Sequence, residues 1–202
     1  MLSTVSRTAP MAATENSIRL HLGIAEQGKL LALKGQHEPA LAHYREALRM
    51  AVSSAAPEVF FRHYTQCVME SLERSGSLDA VLRYCDEAES HYQRIDSPLP
   101  VVARDRAENH QRRASILLRM GRQAEAISAF EQALSTAGQH PLPLTSELLG
   151  WIKRGLSVGA RQLDEAQRRH RYYIVRKELV DPTRAIALPP ERLKAAGMAS
   201  PL

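Results

Sequence analysis

Apolar residues recur along the chain with the spacing of a helix, and short stretches rich in glycine or proline separate them. Such a period is typical of helices that bury one face. Alternating runs of Val, Ile and Thr, which would indicate strands, are nearly absent. The pattern therefore predicts an all-α fold.

Six helices are predicted before the chain reaches Pro141. Pro39 is compatible with the first turn of the second helix, and Ser77 is predicted as the N-cap of the fourth. Prolines predict breaks at 97–100 and 141–143. The predicted helices are 17–34, a second that begins near 37, 57–75, 78–95, 101–120 and 123–137.

Three stretches of the chain share one pattern of residues, which starts at Gly35, Gly76 and Gly121. A glycine is suited to end a helix because it adopts the left-handed conformation without strain. The residues that follow it lie on one helical stripe, where small side chains let two helices approach and a larger one fills the gap. They are Ala40, Leu41, Tyr44 and Ala47 in the first stretch, Val81, Leu82, Cys85 and Ala88 in the second, and Ala126, Ile127, Phe130 and Ala133 in the third.

This arrangement resembles the tetratricopeptide repeat family, in which helix–turn–helix hairpins stack into a right-handed superhelix. The resemblance covers residues 17–140 and implies three hairpins. The glycines are 41 and 45 residues apart, whereas the family's usual period is about 34 residues. The extra residues fall near 53–57 and 97–100. The predicted fold is thus an all-α, right-handed α-solenoid of the long-repeat type.

Residues 141–180 are predicted to form a C-terminal capping helix. Two sets of residues spaced seven apart interleave there, as in a heptad seam, and they indicate one long helix over 146–179. Such a helix would cover the exposed face of the last hairpin. Three alternatives are self-association through the 149–173 seam, pairing of that seam with a partner's helix, and a degenerate fourth hairpin broken near Gly155–Gly159. The seam residues are Leu149, Ile152, Leu156, Gly159, Leu163, Ala166, His170 and Tyr173.

Both ends of the chain are predicted to be tails. Residues 1–16 lack an apolar signal region and are expected to be flexible, with a transit peptide up to Ala13 as the alternative. Residues 181–202 are rich in Pro and Ala and are expected to form no core of their own. A short docking segment at Ile186–Leu188 is the alternative within that tail.

The formal net charge of +5 is concentrated in one part of the chain. Residues 151–177 hold eight basic and two acidic residues, which leaves 19 basic and 20 acidic residues elsewhere. This distribution disfavours a general nucleic-acid coat. The local basic patch is most often a solvated helix face, with an acidic partner, nucleic acid or an anionic membrane as alternatives. It comprises Arg168, Arg169, Arg171, Arg176 and Lys177.

Candidate catalytic and metal-binding patterns are weak, and we expect no cofactor, no metal and no catalytic residue. Cys67 and Cys85 are too few for a disulfide framework or a zinc site. Gly155–Gly159 matches the G-x-S-x-G nucleophile elbow, with Ser157 at its centre. That motif needs a strand before the serine, but 147–154 is predicted to be helical. The sequence therefore favours a protein that is not an enzyme.

The family resemblance implies a function in protein binding. In that family the first helix of each hairpin lines a concave groove, where a partner's peptide or helix lies. One branch binds a C-terminal carboxylate through a Lys/Asn clamp, but Ala25, Lys29, Gln66 and Glu70 stand at the matching positions, so that branch is disfavoured. The groove residues implied here are Lys29, His63, Gln66, Glu70, Glu73, Glu108, Gln111, Arg112 and Arg119.

We therefore expect a non-enzymatic adaptor or scaffold that binds another protein. A dedicated secretion or assembly chaperone is a narrower alternative, and a nucleic-acid-linked regulator that uses the basic C-terminal helix is another. No apolar run reaches the length of about 18 residues that a membrane helix needs. We expect a cytoplasmic protein, bacterial in its Ala and Arg usage.

Overall fold

The structure is a computed structural model that describes residues 9–198. Predictions for residues 1–8 and 199–202 lie outside the described residues. Over 9–198 the chain forms helices and turns without a strand, which confirms the all-α prediction. The helices are α1 (Ala9–Leu33), α2 (His37–Ser53), α3 (Glu58–Arg74), α4 (Leu78–Ile95), α5 (Pro100–Arg119), α6 (Gln123–Ala137), α7 (Pro143–Lys153), α8 (Ala160–Arg169) and α9 (Pro190–Met198).

The helices belong to two compact units. Among the described residues, the first unit comprises 9–75 and 174–198, and the second comprises 76–173. The hairpin α1–α2 lies in the first unit and the hairpin α5–α6 in the second. The first unit is thus built from two stretches that are far apart in sequence.

The repeated glycines end helices as predicted. Gly35, Gly76 and Gly121 have φ values of 75°, 83° and 76°, in the left-handed region. The N–H of Arg122, just after the third glycine, donates to the carbonyl oxygen of Leu117 across 2.9 Å. This bond closes the end of α5 in the manner of a Schellman motif, which only a glycine accommodates without strain.

Most of the repeat positions that follow these glycines are in the core, and only Ala88 and Ile127 are partly exposed. Ala40, Tyr44 and Ala47 are fully buried in the first unit. Gly28 lies against Tyr44 so closely that a Cβ on the glycine would stand 2.6 Å from a ring carbon. The corresponding residues Ala126, Phe130 and Ala133 are fully buried in the second unit, as are Val81 and Cys85. The repeat therefore marks the contact surfaces of the hairpins.

The prediction of one long helix over 146–179 is wrong. Gly155 has a φ of 78° and ends α7, and α8 begins only at Ala160. The N–H of Leu156 donates to the Trp151 carbonyl oxygen across 3.1 Å, which repeats the turn found after α5. Leu149 and Leu163, assigned to the heptad seam, are buried within the second unit. The pair α7–α8 is therefore a short, irregular fourth hairpin.

The tail predictions are also wrong within the described residues. Helix α1 begins at Ala9, inside the predicted N-terminal tail of 1–16. Residues 174–188, here named the return segment, run in extended conformation with short 3₁₀ turns at Lys177–Leu179 and Pro182–Arg184. Leu188 joins the core cluster of the first unit, and α9 packs on α2. The sequence after 181 therefore completes the first unit.

Candidate functional site

The candidate site of the first unit is the face formed by α1 and α3, where the implied groove residues lie. Lys29 is on α1, and Glu70 and Glu73 are on α3, each less than 10% exposed. Charged side chains are seldom buried so fully unless they have partners. The main-chain partners of Glu70 lie in the return segment, and the partner of Lys29 is Glu26 on the same helix.

Glu70 binds the beginning of the return segment through its main chain. Its Oε2 accepts hydrogen bonds from the N–H groups of Ile174 and Val175, both across 2.9 Å. The Glu70 carboxylate is 2% exposed, and the Val175 side chain is buried beside these bonds. Hydrogen bonds to a desolvated carboxylate are among the stronger kinds in proteins. Glu70 is thus a main-chain receptor on α3.

Glu26, on α1, also accepts a main-chain hydrogen bond from the return segment. One carboxylate oxygen accepts from Lys29 Nζ across 2.7 Å, and the other accepts from the N–H of Asp181 across 3.0 Å. The ammonium of Lys29 therefore neutralises and orients Glu26, which leaves the second oxygen for the return segment. Lys29 acts here through another side chain, although the resemblance implied that it would contact a partner directly.

Gly23 gives the return segment its closest approach to α1. The N–H of Ile186 donates to the Gly23 carbonyl oxygen across 2.9 Å. A Cβ at position 23 would stand 2.5 Å from Ile186 Cδ1 and 2.7 Å from the Arg184 carbonyl oxygen. A glycine inside a helix is unfavourable by itself, and this one is explained by the main chain lying on top of it.

His43 on α2 receives the end of the return segment. Its Nδ1–H donates to the Pro39 carbonyl oxygen across 2.7 Å, so the neutral ring has Nε2 free to accept the N–H of Leu188 across 3.1 Å. Burial lowers the pKa of His43 below its ordinary value, which keeps this acceptor neutral. The Leu188 side chain packs beside Tyr64 in the core.

The remaining groove residues of the first unit lie on α3. Burial, together with the nearby Lys29 ammonium, lowers the pKa of His63 to about 4, so this ring is neutral near pH 7. Its Nε2 lies 3.9 Å from the thiol of Cys67. Gln66 is half-buried one turn before Glu70. Both residues lie on α3, the helix that carries Glu70.

The groove residues on α5 belong to the second unit, where they contact the fourth hairpin and the residues after it. Gln111 accepts a hydrogen bond from the Thr145 hydroxyl across 2.9 Å. The guanidinium of Arg112 lies over the Tyr172 ring, 5.0 Å from its centre. Arg119 donates to Asp164 Oδ1 across 2.6 Å and to Gln167 Oε1 across 2.9 Å, both on α8.

Glu108, the remaining implied groove residue, is a surface group on α5. Its Oε1 accepts from Arg104 Nε across 2.9 Å and lies 3.4 Å from His140 Nε2. The nine implied groove residues are therefore divided, with five in the first unit and four in the second.

The basic patch does not form the face of one helix, contrary to the prediction. Helix α8 ends at Arg169 and the chain leaves the second unit after Tyr173. Arg169 donates to Glu147 across 2.6 Å and lies over the Trp151 ring. The patch residues divide into Arg168, Arg169 and Arg171 in the second unit and Arg176 and Lys177 in the first.

The other candidates for chemistry in the described part of the chain are Ser157 and a polar cavity. Ser157 follows helix α7 and an irregular turn, so the strand that a nucleophile elbow needs does not precede it. A polar cavity of 380 Å³ lies among α4, α5 and α6. Its carboxylates are paired with arginines, among them Glu89 with Arg106. Over residues 9–198 no group of three or more His, Cys, Asp or Glu is placed to hold a metal ion.

The sequence predictions missed Glu26, Gly23 and His43, although weak signals were present. Glu26 stands three residues before Lys29, a spacing that favours an ion pair on a helix. Gly23 stands inside a helical pattern, where a glycine indicates a close approach of another chain segment. For His43 the sequence offers no signal, because its role depends on a main-chain N–H from distant Leu188.

None of the helices described over residues 9–198 is both long and apolar enough to cross a membrane.

Comparison with known families identifies one stretch of the chain. Residues 107–140 match the tetratricopeptide repeat. The match covers α6 and the part of α5 that packs on it, with Gly121, Ala126, Phe130 and Ala133 inside it. No curated protein and no solved structure matches the chain. This match confirms the family resemblance for the third of the three repeated stretches, the one that contains Gly121.

Proposed function

We propose that this chain, which carries a tetratricopeptide repeat at residues 107–140, is a non-enzymatic adaptor that binds a peptide of a partner protein. Repeats of this family are generally protein-interaction modules. The partner site that we propose is the α1–α3 face of the first unit. We place the protein in the cytoplasm, where the buried thiols of Cys67 and Cys85 would stay reduced.

The observation that supports this proposal most strongly is the way in which the α1–α3 face binds a polypeptide main chain. Glu70 and Glu26 take three N–H groups of an extended segment. Main-chain recognition of this kind is tolerant of side chains, while pockets for selected side chains provide specificity. A face with these receptors is suited to extended peptides of a partner.

The second unit is a weaker candidate for the partner site. Its α5 positions Gln111, Arg112 and Arg119 are engaged by α8, by Thr145 and by Tyr172, all within the same unit. These contacts are made to side chains, whereas Glu70 and Glu26 bind main-chain N–H groups, which an extended peptide of another protein also offers. We therefore assign partner binding to the first unit.

Site-specific photo-crosslinking tests this proposal. A benzophenone amino acid replaces Gln66 on the α1–α3 face, and in a matched control it replaces Arg49, which is exposed on α2. We expect adducts with a partner peptide at position 66, fewer in a Glu70→Ala background, and none at position 49. Equal adducts at both positions, or adducts only at 49, would contradict the proposed site.

A further inference from the structure

We infer that the return segment is a built-in competitor of the partner, and that the partner peptide is an extended chain with the aliphatic-x-aliphatic pattern of Ile186–Leu188. This inference rests on the proposed function and names the kind of peptide that the α1–α3 face takes. It goes beyond that function because it assigns a resting state in which the chain's own return segment covers the α1–α3 face. We call this state self-occupied.

Five main-chain N–H groups of the return segment are used in docking. Those of Ile174 and Val175 bind Glu70, that of Asp181 binds Glu26, and those of Ile186 and Leu188 bind Gly23 and His43. The receptors are side chains or carbonyl groups of α1, α2 and α3. The segment therefore occupies this face as an extended peptide in trans would, with bonds that depend little on its sequence.

The specific contacts are concentrated at the end of the segment. Ile186 lies directly over Gly23, and Leu188, two residues later, is buried in the core cluster with Tyr64 and Ala47. Leu179, in contrast, is 55% exposed in the middle of the segment. The face therefore selects among extended peptides by the side chains at the positions of Ile186 and Leu188. It does not select by the side chain at the position of Leu179.

The carboxylates explain why the face is self-occupied. Glu70 and Glu26 are buried beneath the segment, and if it left, the Oε2 atom of each would have to be satisfied by water or by a partner. A partner peptide that supplies the same N–H groups replaces those bonds one for one. The exchange of one extended chain for another is therefore the transition that this face allows.

A peptide-binding experiment on the full chain tests the inference. The probe is a fluorescein-labelled synthetic peptide with the sequence of residues 174–188, and its control has aspartate in place of Ile186 and Leu188. The full chain is used as wild type, as Ile186→Asp/Leu188→Asp, which weakens docking, and as Leu179→Asp, the matched control. Fluorescence anisotropy gives the dissociation constants.

We expect the doubly substituted chain to bind the probe about tenfold more tightly or better than the wild type does, because apparent affinity falls with the fraction of open sites. Leu179→Asp should bind as weakly as the wild type, and the control peptide should not bind. Equally tight binding of the probe by all three chains would overturn the self-occupied state and leave the proposed function intact. If none of the three chains binds the probe, the inferred aliphatic-x-aliphatic pattern of the partner peptide is wrong. The proposed function is decided separately, by the crosslinking experiment at position 66.

A milder variant keeps the inference testable if the double substitution unfolds the first unit. Arg192 lies just after the return segment, and its guanidinium pairs with the Glu46 carboxylate. The variant Arg192→Glu puts a second negative charge beside Glu46 and so replaces this attraction by repulsion. This change should raise the apparent affinity for the probe by a few-fold without altering the core.

Light scattering of the wild type should show a monomer, since a concentration-dependent dimer would instead assign the segment to a second copy.

Discussion

The Gly23 carbonyl oxygen on α1 accepts a hydrogen bond from the N–H of Ile186, and the two residues touch so closely that no Cβ fits at position 23. This contact joins the first helix to a segment that follows the whole second unit in sequence. It also explains a glycine inside a helix, where alanine would be favoured by about 1 kcal/mol. The tightness of this contact makes position 23 a sensitive site for testing the docking of the return segment.

Replacing Gly23 with alanine should loosen the return segment. The new methyl group would overlap Ile186 and the Arg184 carbonyl oxygen, and overpacking of this kind costs about 1–3 kcal/mol. Amide exchange at Ile186 and Leu188 should therefore accelerate about tenfold, since 1.4 kcal/mol corresponds to that factor. Hydrogen exchange followed by NMR measures it.

Gly150→Ala is the matched control for this substitution. Gly150 is also inside a helix, α7, but a Cβ there would meet nothing within 4 Å. Alanine should stabilise α7 slightly and leave exchange in the return segment unchanged. If the Ile186 amide exchanges at the same rate in Gly23→Ala as in the wild type, the close contact at Gly23 does not limit the docking of the return segment.

Removing the Glu70 carboxylate should destabilise the first unit. Glu70→Ala leaves the N–H groups of Ile174 and Val175 without this acceptor, which should lower the free energy of unfolding by about 1–3 kcal/mol. Glu70→Gln keeps one acceptor oxygen and should cost less. Urea denaturation followed by circular dichroism measures the difference. The control Glu108→Ala removes a partly exposed ion pair with Arg104 and a contact with His140, and it should cost less than about 1 kcal/mol. An equal loss in Glu70→Ala and Glu108→Ala would refute the role of Glu70.

Docking of Leu188 should depend on pH through His43. Burial lowers the pKa of His43 below 6.5, so the released state binds more protons than the docked state when the pH falls below that value. The docked state is therefore fully stabilised above about pH 6.5 and loses stability as the pH falls toward the lowered pKa. A protonated ring has no acceptor for the Leu188 N–H.

The exchange rate of the Leu188 amide between pH 5 and 8, corrected for its intrinsic pH dependence, measures this effect. Protection should decrease toward pH 5 in the wild type and in His91→Gln, whose histidine is exposed on α4. His43→Gln should remove most of the dependence. A flat profile in the wild type would show that His43 does not control docking.

The hairpin α1–α2 should not tolerate a methyl group at Gly28. A Cβ there would stand 2.6 Å from the ring of Tyr44, which is fully buried. We expect Gly28→Ala to destabilise the first unit by about 1–3 kcal/mol in spite of its better helix propensity. Thermal unfolding, compared with Gly150→Ala, tests this. A stabilised Gly28→Ala protein would contradict the observed packing.

The fourth hairpin should depend on Arg119. Arg119→Ala removes the hydrogen bonds to Asp164 and Gln167 that join α5 to α8. The expected loss is about 1–2 kcal/mol, because Asp164 is half exposed and water screens its charge. Amides of α8 should exchange faster while those of the return segment stay unchanged. Acceleration in both would show that Arg119 affects more than α8.

Local patterns in the sequence predicted the central helices well. Gly35 and Gly121 mark helix ends in the structure, and Tyr44 and Phe130 are buried as the repeat implied. These features are set by neighbours within one hairpin, so the sequence alone contains the information.

Features that depend on distant residues were not predictable. Leu149 and Leu163 have the same apolar spacing in one long helix as in two shorter ones, and the left-handed turn at Gly155 decides between them. The docking segment at Ile186–Leu188, given as an alternative, is confirmed. The rest of the return segment is held mainly by main-chain N–H groups, which most sequences offer equally. Glu70 was therefore predicted as a groove residue, but its occupant, beginning at Ile174, was not.

Hydrogen exchange of the wild-type return segment tests the central claim most directly. The amides of Ile174, Val175 and Leu188 should be strongly protected in the free chain, since each is bonded to a receptor on α2 or α3. An excess of the unlabelled peptide of residues 174–188 should remove that protection by displacing the segment. Exchange of these amides at the rates of an unstructured peptide before any addition, or protection that no excess of peptide reduces, would contradict the account.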